Sequence, residues 1–175
     1  VAVMIWAWIL NGNYGVLNDL LMRVGLMQRP VAWLADAKLA MPSVIVSSVW
    51  RGVPFFAVTI LAALQAIPED LYEAAVVDGA NSWQKFRFIT MPMIKGVLVI
   101  TTLLRTVWSF NWIENIYAMT GGGPGYATTT WAYYLFQQFF DYGDIGYASA
   151  MGVVLMIGLL ILSVVYLKLS AVTEV

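Results

Sequence analysis

The chain has 175 residues, of which 61% are hydrophobic and 11% charged, with a formal net charge of −1. Soluble domains carry about 25% charged residues, so this composition is typical of a membrane protein. The sequence has no cysteine and no histidine, which excludes disulfide bonds, thiolate catalysis and imidazole proton transfer. Basic residues are not in excess, so nothing in the charge balance indicates a nucleic-acid partner. We also predict no cofactor and no metal.

The N-terminal segment is apolar but too short to cross a bilayer by itself. Residues 1–10 are all hydrophobic, whereas a membrane-spanning helix needs about 20 residues. We therefore expect the end of a truncated membrane helix, in a chain that is the C-terminal portion of a longer protein with N-terminal helices missing. Leu17, Leu20, Leu21 and Val24 then recur at helical spacing and predict a short helix lying on the membrane surface.

Longer apolar runs predict membrane helices at residues 43–64, 94–119 and 145–167. Helices are expected because hydrocarbon cannot satisfy exposed backbone groups. The last run ends at Lys168, which is a typical interfacial anchor. The pattern predicts an all-α, polytopic transmembrane fold, with residues 1–175 forming a single domain.

The segment between the first two predicted spans is polar, and its helix ends are marked. Pro68 suits a first helical turn because its missing N–H costs nothing there, and Gly79 can adopt the left-handed conformation that stops a helix. Asn81 or Ser82 can cap a second short helix, and Pro92 marks the entry into the next span. We predict two short helices joined at an angle around Gly79, which is more than a simple linker requires.

Polar and aromatic side chains interrupt the second predicted span. Trp108, Asn111, Trp112 and Asn115 follow the i, i+3, i+4, i+7 pattern of one helical face. Amides can bond sugar hydroxyls and indole rings can stack on the apolar faces of sugars, so these four residues are candidates for a substrate pathway. The alternative is hydrogen bonding between helices, which is common for buried asparagine in membranes.

Charged residues also fall within the predicted spans, and such residues usually face a cavity or a partner. Arg105 and Glu114 are nine positions apart, which is about two and a half helical turns, so they cannot pair along one helix. We expect Glu114 to pair with Arg51, or the long side chains to extend towards an interface.

Residues 73–92, EAAVVDGANSWQKFRFITMP, carry a spaced motif. The sequence resembles the EAA loop of permease subunits from ATP-binding-cassette importers, in which E-A-A precedes G and then I-x-L-P at fixed spacing. Glu73, Ala74, Ala75 and Gly79 match it, and the final element differs only by Met91 at the leucine position. Leucine and methionine have similar volumes.

The resemblance extends over the chain to the sugar-type branch, which includes the maltose and glycerol-phosphate transporters. The stretches WRGVPFFAVTILAALQAIPEDLYEAAVVDGA and RTVWSFNWIENIYAMTGGGP carry it. It implies a type I ABC importer permease fold in a prokaryotic inner membrane, with residues 68–92 as the cytoplasmic EAA coupling loop. It also implies that the ATPase subunit is contacted by Glu73, Ala74, Ala75 and Gly79.

The same resemblance implies the partners. These are a second permease subunit in a heterodimer, two nucleotide-binding ATPase subunits, membrane lipid, and an extracytoplasmic solute-binding protein resting on residues 11–41 and 120–146. The solute would be a sugar, a polyol or a glycerol phosphate. The sequence has no G-x-x-x-x-G-K-[ST] motif, so the chain cannot hold nucleotide in a loop of that kind itself.

Two other classes of function remain open at the level of sequence. One is a membrane-embedded enzyme that uses Glu114 with Arg105 or Arg51, although the absence of histidine counts against it. The other is a purely structural membrane scaffold, which would not need capped helices in the 68–92 segment. The leading prediction is a non-enzymatic permease that depends on a partner for ATP hydrolysis.

Overall fold

The apolar runs of this chain form helices, in which each backbone N–H and C=O pairs within its own segment. The computed structural model describes residues 1–170, and every regular element in that range is helical, as predicted. The elements are α1 (Ala2–Ile9), α2 (Val16–Arg23), α3 (Ala40–Gln65), α4 (Glu69–Val77), α5 (Ser82–Lys85), a π-helical turn (Phe86–Thr90), α6 (Met91–Phe110), α7 (Ile113–Met119), α8 (Trp131–Phe140) and α9 (Ile145–Ser170).

Three helical stretches in the described range are long and apolar enough to cross a membrane: Ala40–Gln65, Ser82–Phe110 and Ile145–Ser170. A helix of 26 residues such as α3 is about 39 Å long, which exceeds the hydrocarbon thickness of a bilayer. Most side chains of these stretches are not buried by the chain itself. Their apolar surface is therefore available to lipid or to other subunits.

The second span differs from the helix predicted over residues 94–119. The chain is helical from Ser82 onwards, through the π-helical turn, and α6 ends at Phe110. Trp112 has a φ of −82° and a ψ of 64°, which is not helical, and α7 starts only at Ile113. The prediction of one continuous helix is therefore wrong, and Asn111 lies in the break. Asparagine favours such breaks because its amide competes for backbone hydrogen bonds.

The described chain divides into two units by its internal contacts. Unit 1 comprises Val1–Arg51 and Ser109–Ile157, and unit 2 comprises Gly52–Trp108 and residues from 158 onwards. The core of unit 1 joins α1, α3, α7 and α8 through the buried residues Leu10, Val44, Ile116, Met119 and Tyr133. Burial raises the pKa of Tyr133 above its ordinary value.

The glycine-rich segment of residues 121–130 is held by contacts of its own and by α8. Thr128 is fully buried, and its hydroxyl donates to the Gly123 carbonyl oxygen at 2.8 Å. Gly122 has a φ of +82° and packs so closely on Tyr133 that a Cβ would lie 2.6 Å from the ring. These contacts fix the segment against α8, because a larger residue at position 122 would be both strained and crowded.

Candidate functional site

The first part of the polar segment is α4, and its sequence sets both of its ends. Pro68 is the N-cap residue, and the first turn contains Glu69 and Asp70, which are favourable near the positive end of the helix dipole. Gly79 has a φ of +77°, the left-handed conformation that was predicted for it. The helix-forming residues between these ends include Glu73, Ala74 and Ala75.

The end of α4 has the hydrogen bonds of a Schellman motif. The Gly79 N–H donates to the Val76 carbonyl at 3.0 Å, and the Ala80 N–H donates to the Ala75 carbonyl at 2.8 Å. Nothing lies within 4 Å of the position that a Cβ on Gly79 would take. Glycine is therefore favoured here by its backbone conformation, while the space beside it is open to a partner.

The second part of the segment starts with a complete capping box. Asn81 accepts a hydrogen bond from the Gln84 N–H at 2.9 Å, and the Gln84 side chain accepts one from the Asn81 N–H at 2.8 Å. The helix then continues through the π-helical turn into α6. Pro92 lies within the first turn of α6, so it does not mark a separate entry into the span as predicted.

One side-chain hydrogen bond ties the two parts together. The Tyr72 hydroxyl on α4 lies 2.8 Å from the Thr90 hydroxyl in the π-helical turn. This contact restrains the bend around Gly79, because one hydroxyl lies on α4 before the bend and the other lies in the π-helical turn after it. Sequence reasoning missed both residues, because no local pattern links positions 18 apart. The π-helical turn itself carries no signal that we recognised.

The residues of the EAA motif lie on an accessible surface. Glu73, Ala74 and Gly79 are exposed and Ala75 is half-buried. Large apolar side chains stand beside them, including Val77, which is 87% exposed, and Trp83, which is 69% exposed. A surface with small residues and exposed apolar groups can take part in close packing with another protein. We call residues 68–90 the elbow.

The four predicted pathway residues divide between the two units. In unit 2, the Trp108 ring packs against Phe55 of α3, with 5.1 Å between ring centroids. One turn earlier on α6, Arg105 lies against the buried Gly52 of α3, where a Cβ would be 2.8 Å from its guanidinium. This cluster combines an aromatic pair with a cation inside two candidate spans.

In unit 1, α7 packs a polar cluster against α3. The Arg51 Nη1 lies 3.2 Å from a Glu114 carboxylate oxygen, which confirms the predicted pair, and 3.2 Å from the Asn115 side-chain oxygen. The Arg51 guanidinium also lies over the Trp112 ring, 4.9 Å from its centroid. Asn115 is 1% exposed and donates to the Ser48 hydroxyl at 2.6 Å. For Asn115, these contacts favour hydrogen bonding between helices over direct contact with a substrate.

The predicted face is consequently not one continuous surface. Asn111 is exposed in the helix break, Trp112 is half-buried beside Arg51, and Asn115 is buried behind them. The i, i+3, i+4, i+7 spacing assumed an unbroken helix, and the break at Asn111 removes that assumption. Within residues 1–170 there is no group of three or more acidic residues, cysteines or histidines that could hold a metal ion.

Comparison with known proteins matches this chain to membrane components of transport systems. Residues 1–171 match the profile of a family described as "Binding-protein-dependent transport system inner membrane component". The trehalose/maltose transport system permease protein MalF of Thermococcus litoralis is 39% identical over 165 residues, covering 94% of this chain and 55% of that protein. The sulfoquinovosyl glycerol transport system permease protein SmoG of Agrobacterium fabrum is 39% identical over 168 residues, covering 96% and 54%.

A solved structure has the same fold. The crystal structure of a bacterial ABC transporter involved in the import of the acidic polysaccharide alginate matches with a TM-score of 0.86 and 25% identity, over 99% of this chain and 60% of that chain. The present chain thus spans a little more than half of the length of the relatives it matches.

Proposed function

This chain belongs to the binding-protein-dependent transport system inner membrane component family, and we propose that it forms part of the permease subunit of an ATP-binding-cassette importer. Proteins of this family are multi-pass components of the inner membrane, in keeping with the three candidate spans. They are transport components and not catalysts, which sets the membrane-embedded enzyme aside.

In the proposed mechanism the elbow transmits mechanical work. Glu73, Ala74, Ala75 and Gly79 contact a cleft on an ATPase subunit, and closure of two such subunits on ATP moves the elbows of paired permeases. The single observation that carries this role is the exposed position of Glu73, Ala74 and Gly79 on and just after a helix closed by a Schellman motif. The Tyr72–Thr90 bond supports it, because a bend that transmits force must be held.

We propose that the pathway residues predicted from the sequence contact the solute as it crosses the membrane. Trp108, Asn111 and Trp112 offer indole rings and an amide, which suit the apolar faces and the hydroxyls of a sugar. Asn115 acts behind them as a positioning residue, since it holds the Arg51 guanidinium beside Trp112. Relatives named for trehalose and maltose, for sulfoquinovosyl glycerol and for alginate support a sugar or a related polyol or glycerol phosphate as solute.

The complete importer would contain a second permease subunit, forming a heterodimer with this one, two ATPase subunits and an extracytoplasmic solute-binding protein. Binding-protein dependence is part of the family description. A structural relative, matched at the level of the fold, was solved in complex with alginate pentasaccharide-bound periplasmic protein. Lipid surrounds the spans, and no nucleic acid takes part.

The test is whether the full-length protein copurifies with an ATPase whose hydrolysis rises when solute-loaded binding protein is added. We expect such stimulation, and we expect Gly79→Asp to abolish solute uptake while the protein remains folded in the membrane. Aspartate tolerates the left-handed conformation better than most residues, and the space beside Gly79 is open. Full uptake by Gly79→Asp would contradict the coupling role, and product formation without ATP would favour an enzyme.

A further inference from the structure

The first turns of the second candidate span carry two basic side chains interleaved with two phenylalanines. Lys85, Phe86, Arg87 and Phe88 follow one another where α5 passes into the π-helical turn. We call these four residues the basic collar. Phe88 is 73% exposed and Phe86 is 43% exposed, while Arg87 is exposed and Lys85 is half-buried. The basic collar thus combines apolar rings and positive charge on one short stretch of helix.

The two cations of the basic collar are not neutralised by the acidic half of the elbow. Helix α4 and its C-cap carry four acidic residues. Within residues 1–170, however, no ion pair joins any acidic side chain to Lys85 or Arg87. The two positive charges are therefore left for a negatively charged partner from outside this part of the chain, since opposite charges attract over such short distances.

The length of the helix places the basic collar at the membrane surface. The helical stretch Ser82–Phe110 has 29 residues, which corresponds to about 43 Å. The hydrocarbon core of a bilayer is about 30 Å thick, so about 13 Å of this helix, or about nine residues, lies among the headgroups. Charged side chains are expensive in hydrocarbon. Because Arg105, near the other end, packs against Gly52 of α3, the excess length belongs at the end that carries Lys85 and Arg87.

The side chains of the basic collar suit an anionic phospholipid. The guanidinium of Arg87 can bind a phosphate through two parallel hydrogen bonds, and the ammonium of Lys85 can bind it as a point charge. Phenylalanine rings can be buried at the boundary between headgroups and acyl chains. Basic residues next to a membrane span are attracted to anionic lipids. Charge and apolar surface therefore both match one lipid molecule.

We propose that the basic collar binds the headgroup of an anionic phospholipid, with Lys85 and Arg87 on the phosphate and the two phenylalanine rings beside the acyl chains. The choice of leaflet rests on the proposed function, which makes the elbow cytoplasmic and the lipid a component of the inner leaflet. The lipid holds the helix after Gly79 at the membrane, while α4 before Gly79 stays available to the ATPase subunit.

The test measures lipid binding by the full-length permease in complex with its ATPase subunits. Ser82→Cys introduces a single cysteine for a fluorophore at an exposed position, three residues before Lys85, in a protein with no other cysteine. The complex is placed in phosphatidylcholine nanodiscs with increasing amounts of phosphatidylglycerol that carries a nitroxide high on its acyl chain. The nitroxide quenches the fluorophore when this lipid is bound nearby. Phosphatidylcholine with the same nitroxide gives the quenching by bulk lipid.

We expect the nitroxide phosphatidylglycerol to quench at a lower mole fraction than the nitroxide phosphatidylcholine. Lys85→Gln and Arg87→Gln should each raise the mole fraction for half-quenching by about fivefold, because each removes one charge near the membrane surface. Lys85→Arg keeps the charge and still binds phosphate, so it should quench as the wild type does. Arg29→Gln removes an exposed arginine from the segment before α3 and should change nothing.

Equal half-quenching in the wild type, Lys85→Gln and Arg87→Gln would overturn the proposal. The same holds if the two nitroxide lipids quench the wild-type complex equally. If Lys85→Gln and Arg87→Gln released the ATPase subunits without changing the lipid titration, the basic collar would be a protein contact and the proposal would also fail. The titration needs neither ATP hydrolysis nor solute. Full uptake by Gly79→Asp, which would contradict the coupling role, would therefore leave the lipid result standing.

Discussion

Removal of the Tyr72 hydroxyl tests whether the bend of the elbow is held by side chains. The Tyr72–Thr90 hydrogen bond is 2.8 Å long and half-buried, and it joins α4 to the π-helical turn. A hydrogen bond of this kind contributes about 1 kcal/mol net, which corresponds to a factor of about five in an equilibrium. Tyr72→Phe should therefore lower the equilibrium constant for the fixed bend by about fivefold, with little effect on the membrane helices.

The assay is the amount of solute transported per ATP hydrolysed in proteoliposomes with saturating binding protein. Thr90→Val removes the other hydroxyl with a similar side-chain shape, so the two variants and their combination form a double-mutant cycle. We expect each single variant to lower the transport ratio by up to about fivefold and the double variant to lower it no further. Tyr147→Phe, at a half-exposed tyrosine of α9 in the other unit, is the matched control.

Two results would refute the reasoning. If Tyr72→Phe transported as much solute per ATP as the wild type, the bend would be held without this hydroxyl. If the losses of transport per ATP in the two single variants added up in the double variant, Tyr72 and Thr90 would act through separate contacts. In either case the elbow could still dock, but its angle would be set by the backbone at Gly79.

The remaining predictions concern α3 and its polar contacts. Asn115→Ala should lower the free energy of unfolding by about 2 kcal/mol because it removes a buried amide together with its hydrogen bonds to Ser48 and Arg51. Glu114→Gln should change it by less than about 1 kcal/mol because the Glu114 side chain is 78% exposed. Thermal unfolding in detergent distinguishes the two, and equal losses would contradict this assignment. Gly52→Ala should displace the Arg105 guanidinium, whose nearest atom lies 2.8 Å from the new Cβ, and raise the KM for solute uptake several-fold. An unchanged KM would mean that the contact between Gly52 and Arg105 does not position the proposed path at Trp108.

Features that depend on a few neighbouring residues were predictable from the sequence. The left-handed Gly79 and the Asn81 cap both follow from local rules, because a helix end is decided by side chains within about four positions of it. Membrane class follows from composition alone. The EAA spacing identified the family because its fixed positions lie within one short segment.

The polar contacts were less accessible because they join distant parts of the chain. The pairing of Arg51 with Glu114 could be proposed from charge alone, since an acid in a predicted span is expected to have a partner. The burial of Asn115 against Ser48, by contrast, depends on how α7 packs on α3, and these residues are 67 positions apart. The sequence pattern assumed a continuous helix. Because the helix breaks at Asn111, Trp108 and Asn115 do not share the single helical face that the pattern predicted.

Composition and the short-range signals at helix ends thus determined a helical membrane protein with a capped polar elbow. Tertiary packing alone decided that Tyr72 meets Thr90, that Asn18 of α2 bonds to Gly12 and Val31, and that buried Asn115 bonds to Arg51. The physical reason is that a helix end is stabilised by atoms a turn away, whereas a hydrogen bond between helices exists only once both have packed.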